Sequence, residues 1–211
     1  MKLVNKEVKE YLKVLKSEAP APGGGAVCAL AGAQGAALVM MVANLTIGKK
    51  KYAEYNALCV ETREKTEEVY QKLVDGIDED KTAFEKVSAA YGMPKDTDEL
   101  KQKRTKAIAS ASIEAAETPL EAMELSLQGL KLTQALLGKS NANLISDLGV
   151  AAVNFYSAIS GAEMNVLINL SSIKDKEKAE YLSRRSKEIL REGKELSDKI
   201  YNIVREKLYV E

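Results

Sequence analysis

The carboxylate of Asp147 is the group in this sequence best suited to chemistry, because it is the only charged residue between Ser140 and Ala162. Alanine, glycine and leucine predominate around it, and an ionised carboxylate in such a setting needs hydrogen-bond partners or a function. Three interpretations stay open: a proton-transfer group, an acceptor of hydrogen bonds from a ligand, or a carboxylate at a helix N-terminus. Asp80 is a second candidate carboxylate, although it lies among many other charges.

Histidine is absent from all 211 residues, which removes the usual general base and the commonest metal ligand at neutral pH. The two cysteines, Cys28 and Cys59, are isolated, so zinc hydrolysis would need an unusual ligand set. A Ser-His-Asp triad is excluded. Proton transfer must therefore use Asp, Glu, Lys, Tyr, Cys or water.

A glycine triplet, Gly23, Gly24 and Gly25, directly precedes an uncharged segment from Ala26 to Ile47. Exposed N–H groups at the start of a helix can bind a carboxylate, and glycine lets a flat ligand approach the main chain. A tight turn explains the triplet equally well. A dinucleotide-binding fingerprint is excluded, because Cys28 stands where the third glycine belongs and no strand leads into the loop.

The uncharged segment predicts a helix that is buried on every side. A membrane span is the disfavoured alternative, since alanine and glycine are weakly hydrophobic and polar residues interrupt the segment. Its small residues allow close helix contact, within the chain or across a dimer. The polar interruptions are Gln34, Asn44 and Thr46, and the small faces are at Ala29, Gly32, Gly35 and Ala36.

Helical spacing of apolar residues continues through the rest of the chain. An amphipathic helix opens the sequence, and the last helix carries a narrow seam for packing on one partner helix. The seam residues are Leu182, Ser186, Ile189, Gly193, Leu196, Ile200 and Ile203. The other predicted helices run from just after Lys51 to about Gly76, from Asp78 to Tyr91, from an Asp96–Glu99 capping box to Glu117, from Pro119 to Leu137, and from about Asn143 to Leu170, with the last beginning at Asp175.

These patterns predict an all-α fold: one domain over residues 1–211, built as an antiparallel multi-helix bundle around a central buried Ala/Gly-rich helix. Lysine plus arginine and aspartate plus glutamate number 31 each, so neither nucleic acid nor an anionic membrane is expected as a partner. Two cysteines and the lack of an apolar signal core favour a cytoplasmic location.

Several motifs together resemble the formiminotransferase-cyclodeaminase C-terminal domain family, which includes stand-alone methenyltetrahydrofolate cyclohydrolases. The resemblance covers nearly the whole chain. Members often carry serine just after the glycine triplet, where this chain has Ala26, which has no hydroxyl to contact a ligand. The matching positions are Ala21 to Gly25, Asn44 to Tyr52, Asp80, Phe84, Val87, Ala115, Ala116, Pro119, Asn141, Asn143, Ser146, Asp147, Val150 and Asn165 to Leu170.

The resemblance implies a homodimer that acts on a one-carbon unit at N5 and N10 of tetrahydrofolate, with no metal or redox cofactor. The favoured reaction closes 5-formiminotetrahydrofolate to 5,10-methenyltetrahydrofolate with loss of ammonia, and the alternative interconverts methenyl- and 10-formyltetrahydrofolate. Asp147 is then expected to transfer protons or to bind the pterin, with Asp80 as the second carboxylate. The expected substrate-binding residues are Gly23, Gly24, Gly25, Asn44, Lys49, Lys50, Lys51, Tyr52, Arg104, Asn141 and Asn143.

Within that set, the cluster of Lys49, Lys50 and Lys51 is expected to meet the glutamate tail of folate, although a solvated helix end explains it as well. A helical interaction protein without a small-molecule substrate is the alternative from another class. The glycine triplet and the isolated Asp147 count against that alternative.

Overall fold

The computed structural model describes residues 2–209, and every regular element in that range is helical, which confirms the all-α prediction. Short 3-10 segments at Leu3–Asn5, Lys50–Tyr55 and Ala142–Leu144 accompany the α-helices. The α-helices of the described range are α1 (Val8–Leu15), α2 (Gly24–Asn44), α3 (Asn56–Gly92), α4 (Asp98–Leu136), α5 (Ile145–Leu170) and α6 (Lys176–Leu208).

Helix α2 lies at the centre of the bundle and packs against α3, α4 and α5. Its small residues face neighbouring helices of the same chain: Gly35 lies against Phe155, and Gly32 against Leu73 and Ser126. The small faces thus serve contacts within the chain. The helix ends at Asn44 rather than at the predicted Ile47, and the turn after it closes at Gly48, whose φ is +77°.

Helix α3 is one continuous helix of 37 residues, so the predicted break near Gly76 is wrong. A glycine inside a helix costs about 1 kcal/mol relative to alanine. The burial of Leu73 and Ile77 on either side of it offsets that cost, because these side chains are held between α3 and its neighbours.

Helix α4 is also continuous, over 39 residues, and Pro119 lies inside it, so the predicted helix start at Pro119 is wrong. Proline has no N–H, and the carbonyl of Ala115 therefore lacks its partner within the helix. The side-chain amide of Asn169 on α5 donates to that carbonyl at 2.9 Å. The predicted cap is displaced by one residue, because the side chain of Thr97 caps α4.

The last helix begins where the sequence predicts, and the Asp175 carboxylate caps α6 by accepting from the N–H of Lys178 at 3.0 Å. Helix α5 begins at Ile145, because the predicted start at Asn143 lies in the 3-10 segment Ala142–Leu144. The single-partner prediction for α6 is wrong, because the helix packs on both α4 and α5. A straight helix drifts from an exact seven-residue repeat. The buried seam accordingly moves from the predicted Leu196 and Ile203 to Ser197 and Val204.

Two stretches, Gly24–Asn44 and Ala142–Leu170, are long and apolar enough to cross a membrane by length and composition. Within the fold, 56% and 39% of their most apolar windows are buried. Core helices meet the same criteria, so the two stretches do not by themselves indicate a membrane.

Antiparallel packing decides which residues meet at each end of the bundle. Asp80, in the middle of α3, lies beside Gly25 at the start of α2, and Asn165 near the end of α5 lies beside Gly24. Beyond Asp80, α3 continues for about 18 Å to Gly92 at 1.5 Å per residue. This part of α3 and the start of α4 form a hairpin arm.

Candidate active site

The carboxylate of Asp80 is seated on the first turn of α2. Its Oδ2 accepts a hydrogen bond from the N–H of Ala26 at 3.0 Å. Its Oδ1 lies over Gly25, where an added Cβ would be 2.0 Å from that oxygen. Gly25 must therefore be glycine for Asp80 to reach the helix. The first turn of α2 does bind a carboxylate, but the carboxylate comes from the protein itself.

The protonation of Asp80 is set by two opposing effects. Burial of the half-exposed side chain raises the pKa of this carboxyl, and the hydrogen bond from Ala26 lowers it by a smaller amount. The result is a carboxyl whose pKa lies above its ordinary value. A group poised in this way can both accept and return a proton, which is the requirement for general acid–base chemistry.

Two further titratable side chains lie near Asp80, Tyr11 from α1 and Cys28 from α2. Burial raises the pKa of the Cys28 thiol to about 11, with a further contribution from Asp80, so the thiol stays protonated. A protonated, buried thiol is a poor nucleophile. The pKa of Tyr11 is also raised, by burial first and then by Asp80 and Cys28. Sequence reasoning missed Tyr11, whose only signal was its position on the apolar face of α1.

Asn165 completes the polar surface at this end of α2, and sequence reasoning did not select it as a site residue. An added Cβ at Gly24 would lie 3.3 Å from both terminal atoms of the Asn165 amide. The Nδ2 atom donates to the carbonyl of Gly161 at 2.9 Å. Among the described residues Oδ1 makes no hydrogen bond, and it can accept one from a ligand.

A narrow cavity of about 20 Å³ lies beside Asp80 between α2, α3 and α4. It has room for about one water molecule. Glu79 and Glu121 line it, and the pKa of Glu79 is raised by burial first and by Glu121 next. A ligand larger than water does not fit this cavity, whereas the N-terminus of α2 is open to solvent at the exposed Gly24.

The opposite end of the bundle holds Asp147 and most of the predicted binding residues. Asp147 lies half-buried in the first turn of α5, where a carboxylate interacts favourably with the helix dipole. Gly24 contacts Asn165 near the other end of α5, 18 residues further along. Asp147 is thus about 27 Å from the Asp80 end of the bundle, measured along the axis of α5. One chain does not bring the two candidate carboxylates together.

Around Asp147, several predicted binding residues join the connection between α4 and α5 to the end of α2. The phenol oxygen of Tyr52 accepts from the N–H of Ala142 at 3.0 Å. The N–H of Asn141 donates to the buried Thr46 hydroxyl at 3.0 Å, and the Asn141 side chain accepts from the N–H of Asn143 at 3.2 Å. These contacts hold loops in place. The exposed residues here are Asn44, Lys49, Lys50, Lys51 and Asn143.

Two cationic side chains from the predicted set pack on tyrosine rings. The ammonium of Lys51 lies 5.4 Å from the centre of the Tyr52 ring. Arg104 lies on the hairpin arm, where its Nη2 donates to the backbone carbonyl of Tyr91 at 3.1 Å. Its guanidinium also lies 5.7 Å from the centre of the Tyr91 ring. Arg104 therefore ties α4 to the end of α3 and lies apart from both ends of the bundle.

A metal site was not predicted from the sequence. Within residues 2–209 no three His, Cys, Asp or Glu side chains are grouped so as to hold a metal ion.

The protein is a helical bundle in which the carboxyl of Asp80 lies against the first turn of the central helix. The family described as formiminotransferase-cyclodeaminase matches residues 7–188. The chain therefore belongs to this family, as its motifs predicted.

Individual relatives agree with the family assignment. The chain is 39% identical to a methenyltetrahydrofolate cyclohydrolase from Methylorubrum extorquens, over 97% of this chain and 98% of the relative. It is 32% identical to the formimidoyltransferase-cyclodeaminase of Sus scrofa, over 91% of this chain and 36% of the relative. The chain thus spans about a third of that longer protein.

Among solved structures, the chain resembles the formiminotetrahydrofolate cyclodeaminase from Thermotoga maritima, with a TM-score of 0.80 and 31% identity. The likeness covers 97% of this chain and 96% of that one. These relatives are named as enzymes that act on folate derivatives, which confirms the prediction of a folate one-carbon enzyme over that of a helical interaction protein.

Proposed function

We propose that this chain is a methenyltetrahydrofolate cyclohydrolase that uses Asp80 for proton transfer. The observation that carries the proposal is the Asp80 carboxyl itself, held on Gly25 and Ala26 with a raised pKa. The full-length similarity to the Methylorubrum extorquens cyclohydrolase supports the choice of reaction. Cyclodeaminase activity, favoured on the sequence alone, is the second candidate, and the likeness to the Thermotoga maritima structure supports it.

The hydrolytic reaction uses Asp80 twice. The carboxylate takes a proton from water as the water oxygen bonds to the methenyl carbon between N5 and N10. The bond from that carbon to N5 then breaks, N5 receives the proton from Asp80, and the new hydroxyl loses its proton to solvent as the formyl group forms. One proton is released overall. In the deaminase reaction N10 bonds to the carbon of the protonated formimino group, and the same carboxylate takes the N10 proton. The acid form of Asp80 then gives that proton to the formimino nitrogen as its bond to the carbon breaks, so ammonia leaves and the methenyl cation remains.

Substrate is proposed to bind across the open N-terminus of α2. Gly24 is exposed and has no side chain, so a flat ring can approach the main chain from solvent beside the Asn165 amide, whose terminal atoms lie 3.3 Å from the place of a Cβ on Gly24. The Oδ1 atom of Asn165 then accepts from a ring N–H group. This placement brings a bound pterin next to Asp80 rather than next to Asp147.

A homodimer is proposed for the working enzyme. The outer sides of α2 and α5 carry exposed apolar residues, and α5 has no charge between Asp147 and Glu163. A second copy can cover such an uncharged face. Light scattering that shows a monomer at assay concentration would contradict this proposal. The exposed apolar residues of this face include Val27, Val150, Val153, Met164 and Ile168.

The location in the cell is also a proposal. Both cysteines are free and buried, which suits a reducing cytoplasm. The lack of nucleic-acid and membrane partners stays a prediction from the charge balance.

The function is tested by assaying purified protein for both folate reactions, with and without a chelator. We expect hydrolysis of 5,10-methenyltetrahydrofolate that survives chelation and is lost in Asp80→Asn. Asp75→Asn is the matched control, because Asp75 is an exposed aspartate on the same helix. Ring closure of 5-formiminotetrahydrofolate without hydrolysis would establish the second candidate instead. Absence of both activities would contradict the proposal.

A further inference from the structure

Tyr11 carries a buried hydroxyl that has no hydrogen-bond partner within residues 2–209. The residue is 7% exposed, and it is the one buried residue of α1. A buried hydroxyl without a partner costs free energy, so such groups are uncommon and frequently mark a functional position. Burying the side chain of phenylalanine at this position would carry no such cost.

The Tyr11 ring belongs to the same packed cluster as Ala26, Ala29 and Ile77. Ala26 is the residue whose N–H holds Asp80. The cluster that holds the Tyr11 ring and the carboxyl of Asp80 therefore meet at Ala26, and the pKa of Tyr11 is raised by burial first and then by the charge of Asp80. No direct hydrogen bond joins the phenol to the carboxyl in the described structure.

The N-terminal segment is fixed to α3 at a second point close to Asp80. The backbone N–H of Leu3 donates to Oδ1 of Asp78 at 2.6 Å, and Leu3 is buried in the same cluster as Tyr11. Asp78 precedes Asp80 by two residues. The segment from Leu3 to Tyr11 is thus held at both ends against the part of α3 that carries the candidate catalytic group.

We infer that Tyr11 is a positioning residue of the active site, whose O–H donates to Oδ1 of Asp80 when substrate is bound. Catalytic hydrogen bonds are often long in ligand-free proteins and tighten in the substrate complex. The bond would satisfy the buried hydroxyl and hold Asp80 in one orientation. The inference rests on the proposed role of Asp80, and it makes the N-terminal segment part of the catalytic unit.

The direction of the electrostatic effect follows from the donor and the acceptor. A hydroxyl that donates to a carboxylate stabilises the charged form and lowers the pKa of the carboxyl. Loss of the hydroxyl should therefore raise the pKa of Asp80. The other titratable groups at this position are Cys28 from α2, Glu121 from α4, and Lys72, Asp78 and Glu79 from α3.

The test is Tyr11→Phe, which keeps the ring and removes only the hydroxyl. We expect kcat to fall about tenfold or more, the scale of a lost hydrogen bond to a charged group, with little change in KM. The acidic limb of the pH–kcat profile should move to higher pH. The melting temperature should equal or exceed that of the wild type, because an unpartnered buried hydroxyl is removed. Tyr70→Phe is the control, since Tyr70 lines the groove beside Tyr11 but is not part of the proposed site.

An unchanged kcat and pH profile in Tyr11→Phe would overturn the inference, and so would a loss of rate without a shift of the acidic limb. A carbon-13 NMR titration of Asp80, with and without tetrahydrofolate, gives a readout that does not depend on turnover. With tetrahydrofolate bound, the pKa of Asp80 should be higher in Tyr11→Phe than in the wild type. Equal pKa values in the two proteins, both with and without tetrahydrofolate, would overturn the inference. Failure of Asp80→Asn to affect turnover would contradict the proposed function separately.

Discussion

Oδ1 of Asp80 occupies the space that a side chain at position 25 would need, at 2.0 Å from the place of a Cβ on Gly25. The two residues are 55 positions apart in the sequence, and they meet because α2 and α3 run antiparallel. The absence of a side chain at Gly25 is what allows Oδ2 of Asp80 to accept from the N–H of Ala26. The glycine and the carboxylate therefore form one functional unit.

Gly25→Ala should displace Asp80 and remove its hydrogen bond to Ala26. Overpacking of this kind typically costs about 1–3 kcal/mol of stability, and the acid–base group would also lose its position. Urea unfolding and turnover measured together test this expectation. Gly92→Ala is the control, because no atom lies within 4 Å of an added Cβ there and Gly92 lies on the hairpin arm outside the proposed site. Equal turnover in the two variants would show that Asp80 does not depend on Gly25.

The amide of Asn169 is expected to contribute to stability through Pro119. In Asn169→Ala the carbonyl of Ala115 loses its donor, which should cost about 1–3 kcal/mol for a buried group left unsatisfied. Pro119→Ala restores an N–H at that position, so the cost of Asn169→Ala should be smaller in that background. A double-mutant cycle by urea unfolding measures the difference. Strict additivity of the two changes would contradict this account of Pro119.

Local sequence patterns predicted the parts of the fold that depend on local chemistry. The uncharged segment predicted α2, and Asp175 predicted the start of α6. The helix start predicted at Pro119 failed because Asn169, 50 residues away, supplies the missing hydrogen bond. The contact between Asp80 and Gly25 likewise depends on the packing of two segments that are distant in the sequence. A single sequence does not show such pairings.

The raised pKa of Asp80 predicts a specific dependence of stability on pH. In the folded protein this carboxyl keeps its proton to higher pH than in the unfolded chain, where its pKa is near the ordinary value of 3.8. Between the two pKa values the folded state binds more protons, so this group lowers stability as pH rises. The loss is complete above the folded-state pKa.

Asp80→Asn removes that titration and should be more stable than the wild type at pH 7, but not at a pH below 3.8. Urea midpoints of both proteins at several pH values test this, and their difference cancels the titration of the other carboxyls. A wild-type advantage that grows with pH would contradict the raised pKa. A stabilised but inactive variant would be typical of a catalytic group that costs stability.

Substitution of each candidate carboxylate, Asp80 and Asp147, with asparagine shows which of the two transfers the proton. If Asp80 transfers the proton, Asp80→Asn should lower kcat about a hundredfold or more, the usual contribution of positioned acid–base catalysis. The acidic limb of the wild-type pH–kcat profile, displaced above the ordinary range of aspartate, should disappear in this variant. Asp147→Asn should stay within about threefold of the wild type, because Asp147 lies at the other end of α5 and its charge there has the role of a helix-dipole carboxylate. Steady-state kinetics of both variants across pH decide between the two residues. A loss in Asp147→Asn as large as that in Asp80→Asn would place Asp147 in the active site, and in a dimer it would show that the partner supplies it.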